Sequence, residues 1–171
     1  IGPGSFTGLR IGLATVKAFA FGAAARPVAA VSTLAALCAS AEAEAGGAPV
    51  AALLDARRGA VYAACVSRAG LARADLLADC VLTPDELARQ LPHGAFVVIG
   101  EGAAEGAAKL AALRGDLTLL ALPHGGASAA SVARLGAQLL AGGVGRNAAE
   151  LVPAYLRRAE AEARRTGRAF E

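Results

Sequence analysis

The opening stretch IGPGSFTGLRIG holds Gly2, Pro3, Gly4 and Gly8 within eight residues, with Ser5 and Thr7 between them and Arg10 and Gly12 just beyond. Gly reaches backbone angles closed to other residues, and Pro fixes one suited to a turn or a helix's first turn. The pattern is a tight turn feeding a helix N-terminus, a place that favours an anion or a closely packed neighbouring backbone. Ser5 or Thr7 reads first as the helix cap. GPGSFTG is not the G-x-S-x-G elbow, and neither histidine can be tied to Ser5 by sequence, so no nucleophile arrangement emerges.

Asp55-Ala56-Arg57-Arg58-Gly59 is a charged turn between two strand-like runs. Two arginines there would crowd a backbone phosphate cradle, yet could grip phosphate oxygens themselves. A solvated hairpin tip, a contact to a partner or RNA, and a nucleotide clamp all remain open for it. Asp55 could hold Mg²⁺ through water, although such an Asp more often braces its own turn. IGEGAAEG at 99–106 resembles a dinucleotide GxGxxG, but position 105 is Glu and the third Gly is 106. Glu101 would repel a phosphate, which favours strand-to-helix packing as the role of these glycines.

Metal sites need ligands grouped on one ion, as two histidines one helical turn apart achieve. His93 and His124 lie far apart, each beside Gly in a predicted loop, so a two-His helix motif is excluded within these residues and no metal site is expected. Cys38, Cys65 and Cys80 are widely spaced with no CxxC, which predicts buried, reduced thiols in a cytosolic protein. The tail LRRAEAEARRTGRAFE alternates charge at helical spacing. A solvated helix with i,i+4 pairs is the plainer reading, and an RNA-backbone contact through Arg157, Arg158, Arg164, Arg165 and Arg168 is the sharper one.

The elements that would position these residues follow from periodicity. The 171 residues suffice for one medium domain or two small ones. The hydrophobic fraction of 56% is inflated by alanine, which contributes little burial energy. The longest clean apolar run, at 18–25, is far short of the roughly 20 residues that cross a bilayer. A net charge of +3 permits an RNA partner without arguing for one. With no Met and Ile at position 1, the chain is expected to lack its natural N-terminus.

Leu9, Leu13, Val16 and Ala20 share one face of a helix over 7–22, with Gly8, Gly12 and Thr15 as a small-residue stripe beside it. Gly costs about 1 kcal/mol at a helix position, so two of them imply that something packs very close. A second helix starts at Ser32 or Thr33 and runs to Gly46-Gly47, the best domain boundary. Strands are predicted over 50–56, 60–67 and 75–82, then a helix opened by a Thr83–Glu86 capping box, with Leu87 and Leu91 inward. A strand at 95–100, a helix at 103–114, a strand at 117–122 and a helix from Ser128 or Ser131 to Gly142-Gly143 complete the order. A meander followed by βα units gives a mixed sheet with helices on its faces. That βββαβαβα order matches the α/β ribonuclease-H-like unit of actin-like proteins, with 1–46 as the tail of a first lobe and 47–171 as a second.

GPGSFTGLRIG at 2–12, LLDARRGAVYAA at 53–64 and LVPAYLRR at 151–158 together resemble, in order and spacing, the motifs of the TsaB (YeaZ) family. Members partner the catalytic subunit of the bacterial tRNA threonylcarbamoyladenosine complex. The resemblance runs over the whole chain and implies that roughly the first third of the usual subunit is missing. It implies an actin-like, Gcp-like fold and a cytoplasmic, non-catalytic role beside a TsaD-type subunit. That subunit supplies the metal site and moves threonylcarbamoyl from its adenylate to the adenosine next to the anticodon. ATP or ADP and metal are then expected on the partner, with none held by this chain alone. A third ATPase subunit, TsaE, and tRNA reached through the complex are implied as well, and a homodimer stays open.

Under this reading Gly2, Pro3, Gly4, Ser5, Thr7, Gly8, Arg10 and Gly12 serve the partner interface. Asp55, Arg57 and Arg58 would contact phosphate or partner, and Arg157 and Arg158 would contact RNA. The competing reading is an autonomous actin-like ATPase or small-molecule kinase, which requires Gly/Thr phosphate turns and carboxylates for Mg²⁺. A TsaD-like catalytic subunit is disfavoured by the absent histidine pair and the short second lobe.

Overall fold

Alternating β-branched, alanine and leucine residues after Pro49 form a meander, and the segments that follow it alternate between helix and strand. The computed structural model describes residues 1–23, 26–69, 72–123 and 126–157. Its elements are α1 (Phe6–Gly22), α2 (Thr33–Ser40), β1 (Val50–Asp55), β2 (Val61–Ala69), β3 (Ala72–Leu82), α3 (Pro84–Gln90), β4 (Gly94–Gly100), α4 (Ala103–Leu113), β5 (Leu117–Pro123) and α5 (Ala129–Ala141), then a 3-10 turn at Ala148–Glu150. The sheet order is β3-β2-β1-β4-β5. The meander strands pair antiparallel, while β1 with β4 and β4 with β5 pair parallel. This is the expected ribonuclease-H-like order, mixed sheet included.

Strand alternation splits the core in two. Ala51 and Leu53 of β1 with Phe96 and Val98 of β4 face α3 and α4, where Leu87, Leu91 and Leu110 are buried. Val50, Ala52, Val97 and Ile99 point the other way, onto Leu34, Leu37 and Cys38 of α2. Each fully buried leucine contributes about 1.5–3 kcal/mol relative to exposure. The helix starts are capped as their sequences suggest. Ser5, Ser32 and Ser128 accept first-turn N–H groups, and Thr83 forms the full capping box with Glu86.

Two elements depart from the periodicity reading. α2 stops at Ser40 and not at Gly46-Gly47, and Arg134 of α5 donates to the Ala39 carbonyl at 2.8 Å. That is a tertiary cap which local sequence does not reveal. In α1, Ala20 is buried and Leu9 and Leu13 are half-buried, but Val16 is 40% exposed. α1 lies against the 148–155 segment and not on a broad core: Lys17 Nζ donates to Ala149 O at 3.1 Å, and Phe6 stacks on Tyr155. No described helix is long and apolar enough to cross a membrane.

Candidate functional site: an arginine-rimmed cleft beside an open helix

The tip between β1 and β2 carries unusual backbone. Arg57 and Arg58 have φ of 61° and 55°, and Gly59 follows at 76°. The left-handed region costs a non-glycine residue roughly 1–2 kcal/mol, so the surroundings must hold it. Asp55 Oδ1 accepts the Arg57 N–H at 2.7 Å, and the Ala56 N–H donates to Ala60 O at 3.1 Å. Asp55 thus braces its own turn. Arg157 adds a long-range clamp, donating to the carbonyls of Ala56 and, at 3.4 Å, Arg57. The guanidinium read from sequence as an RNA contact is therefore engaged with the hairpin backbone. Arg158 and the tail arginines beyond it lie outside the described residues.

At the chain's start, residues 1 and 2 run between two segments. Ala154 N–H donates to Ile1 O at 2.9 Å, and Thr33 N–H donates to Gly2 O at 2.7 Å. A Cβ on Gly2 would fall 2.9 Å from Ala154 O and 3.1 Å from Leu9 Cδ1. This glycine permits backbone to approach backbone within the chain. Past the turn, the Phe6 and Tyr155 rings stack at 5.1 Å and 27°, with the Arg10 guanidinium 5.2 Å from the Phe6 ring centre.

The three motifs that lie far apart in the sequence meet here. Residues 3–6, 54–58 and 154–157 enclose a cleft of about 570 Å³, with Glu101 on its wall. Sequence reasoning missed Tyr62 and Tyr155, the chain's two tyrosines, which both line this cleft. Their membership in the second and third motifs was the available signal. Burial raises the Tyr62 hydroxyl above its usual range, Arg157 draws it down and Asp55 pushes it up, so the three groups share one field.

On the opposite face of α1 the small-residue stripe is open. A Cβ on Gly12 would meet nothing within 4 Å, and one on Gly8 only Ser5 at 3.6 Å. Beside them Ile11 is 64% exposed and Phe19 75%. Among the described residues no helix lies on this stripe, so the close neighbour that the glycines imply is not part of the described chain.

The remaining candidates are structural. A Cβ on Gly100 would overlap the Leu53 carbonyl oxygen, and one on Gly106 would fall 2.9 Å from Leu53 Cδ1. Of the three glycines in IGEGAAEG, Gly100 and Gly106 are packing devices, while a Cβ on Gly102 would meet nothing within 4 Å. His93 is an exposed loop residue whose Nδ1 lies 2.6 Å from Asp116 Oδ2. Arg114 joins them, donating to Asp116 and to the Ala88 and Leu91 carbonyls that end α3. Its hydrogen bonds hold the Asp116 carboxyl well below the usual carboxylate range. His124 lies outside the described residues. Among those described, no three His, Cys, Asp or Glu side chains group as a metal site. The three cysteines form no disulfide with one another; Cys38 and Cys65 are buried and Cys80 half-buried, and burial pushes the Cys65 thiol up to about 12.

The β3-β2-β1-β4-β5 order of this mixed sheet is that of an actin-like, Gcp-like α/β protein. Residues 1–164 match the family model described as TsaD: tRNA N6-adenosine threonylcarbamoyltransferase. Among solved structures, a Pseudomonas aeruginosa protein described as similar to peptidase YEAZ superposes with a TM-score of 0.74 at 30% identity. The match covers 91% of this chain and 70% of that one. YeaZ from Pseudomonas aeruginosa gives 0.73 at 29%, covering 90% and 71%. A comparison with curated proteins gives no significant match. The chain belongs to the TsaD family, in its YeaZ (TsaB) branch.

Proposed function

We propose that this chain is the non-catalytic partner subunit of a tRNA threonylcarbamoyladenosine-forming complex. It pairs with a TsaD-type catalytic subunit through the open face of α1. The catalytic subunit carries ATP or ADP and the metal, and places threonylcarbamoyl on the adenosine next to the anticodon. TsaE joins as the third, ATPase subunit, and tRNA is reached through the assembly. Family membership supports the setting, and one observation carries the role: Gly8 and Gly12 open a shallow track between exposed Ile11 and Phe19 with no occupant among the described residues. A contiguous apolar patch with water on it marks an interaction surface. Small residues on a helix let a second helix approach until the backbones nearly touch, and burying apolar area there contributes about 25 cal/mol per Å².

The test is co-purification with the TsaD-type subunit, then a tRNA-modification assay omitting each component in turn. Stable pairing and loss of modification without this chain are expected. ATP hydrolysis by the chain alone separates the autonomous-ATPase reading, and robust unaided turnover would overturn the partner role. A homodimer that dissolves when the TsaD-type subunit is added is consistent with one face serving both pairings.

A further inference from the structure

We propose that the groove between α1 and the 151–155 segment docks an amphipathic helix of a partner protein, its acidic side chains turned to Arg10 and Lys17. This goes beyond pairing through the Gly8–Gly12 track and does not rest on it. At about 3.6 residues per turn, Arg10 and Lys17 share one side of α1, and Gly8 and Gly12 lie on the other.

Three observations converge. The groove encloses about 420 Å³, with Leu13 on one wall and Leu151, Val152 and Pro153 on the other. Val152 is 71% exposed, so this apolar surface is left to water. The second observation is charge. Arg10 and Lys17 line the groove, while among the described residues no carboxylate does, Glu150 beside it included. Arg10 rests over the Phe6 ring and Lys17 donates to the Ala149 carbonyl, so neither cation meets an acidic partner among the described residues. An apolar floor with two cations and no anion complements a ligand that is apolar and acidic at once. Third, the surface continues along the helix: Phe21, one turn past Lys17 on the same side, is 90% exposed.

Spacing selects the shape of the occupant. Arg10 and Lys17 are rooted two turns apart, about 10 Å along the axis. A helix laid alongside α1 matches them with acidic residues at i and i+7, and its i+3 and i+4 side chains then meet the apolar walls. A further apolar residue one turn beyond the acid that faces Lys17 covers Phe21. Single-stranded nucleic acid fits this groove less well. It binds by stacking bases on open aromatic faces, and the Phe6 ring is already taken up by Tyr155 and Arg10.

The experiment is fluorescence anisotropy on the full chain with a labelled, alanine-rich helical peptide of roughly 16 residues. The peptide carries two glutamates seven places apart, with leucines three and four places after the first. Wild type is expected to bind it with a dissociation constant below about 1 mM, weakening as salt rises. The same peptide with lysines in place of the glutamates should not bind. Arg10→Gln/Lys17→Gln should lower affinity at least tenfold at an unchanged melting temperature. If that variant folds poorly, Val152→Glu decides, because it sets a repelling carboxylate on the exposed rim and should lower affinity roughly threefold or more. No binding of the acidic peptide at millimolar concentration overturns the proposal, and so does undiminished affinity in a folded variant. Equal binding of the lysine peptide overturns it as well. So does tighter binding of a thymidine decanucleotide that the double variant loses, which would assign this face to nucleic acid.

Discussion

Two glycine clusters that look alike in sequence do opposite things. At Gly100 and Gly106 the missing side chains make room for Leu53, and the chain fills that room itself. At Gly8 and Gly12 the room is equally present, yet no described residue enters it. The first cluster is satisfied by contacts within the described residues, and the second is left open by them. Glycine in a helix or at a strand end therefore reports only that something comes close. Whether that something is internal depends on contacts that no local pattern contains.

The largest expected effect breaks the first half of this comparison. Gly100 has φ of +125°, and a Cβ there runs into the Leu53 carbonyl. Gly100→Ala should cost more than about 4 kcal/mol and abolish cooperative unfolding near the wild-type midpoint; a melting curve like the wild type's contradicts the packing role. Next is Leu110→Ala, at a fully buried position on α4. It should lower stability by about 3 kcal/mol in chemical denaturation, whereas Ile11→Ala on exposed α1 should change it by less than about 0.5 kcal/mol. Equal losses would mean that α1's outer face is covered after all.

Gly12→Ala sharpens the second half. With nothing near the added methyl group, the chain should gain up to about 1 kcal/mol from helix propensity. A loss would reveal an unseen neighbour within the chain.

The smallest effect concerns acid. The Asp116 carboxyl is held below its unfolded value of about 3.9, so its contribution is fully present above that value and fades as pH falls toward the folded one. Asp116→Asn should lower melting temperature slightly at neutral pH and flatten its decline below about pH 4 by the same small amount. An unchanged acid slope would mean that the Arg114–Asp116 contact does not hold in solution.

Much of the fold was legible from local signals. The Thr83–Glu86 box, the alternation of Phe96, Val97, Val98 and Ile99, and the order of elements are each set by residues within a few positions of one another. What stayed hidden involves partners distant in sequence. The end of α2 depends on Arg134, nearly a hundred residues on. The conformation of the Arg57–Arg58 turn depends on Arg157, which from sequence alone belonged to a charged tail. The cleft was readable as three motifs but not as one place, because spacing carries no information about which motifs face each other.

The central claim is that the Gly8–Gly12 track of α1 is where a TsaD-type subunit docks. The most direct measurement is the affinity of Gly12→Leu for that subunit, by calorimetry, beside its melting temperature alone. An unchanged or higher melting temperature with affinity reduced at least tenfold, about 1.4 kcal/mol, is the predicted pair of results. Wild-type affinity in a folded Gly12→Leu chain would contradict it.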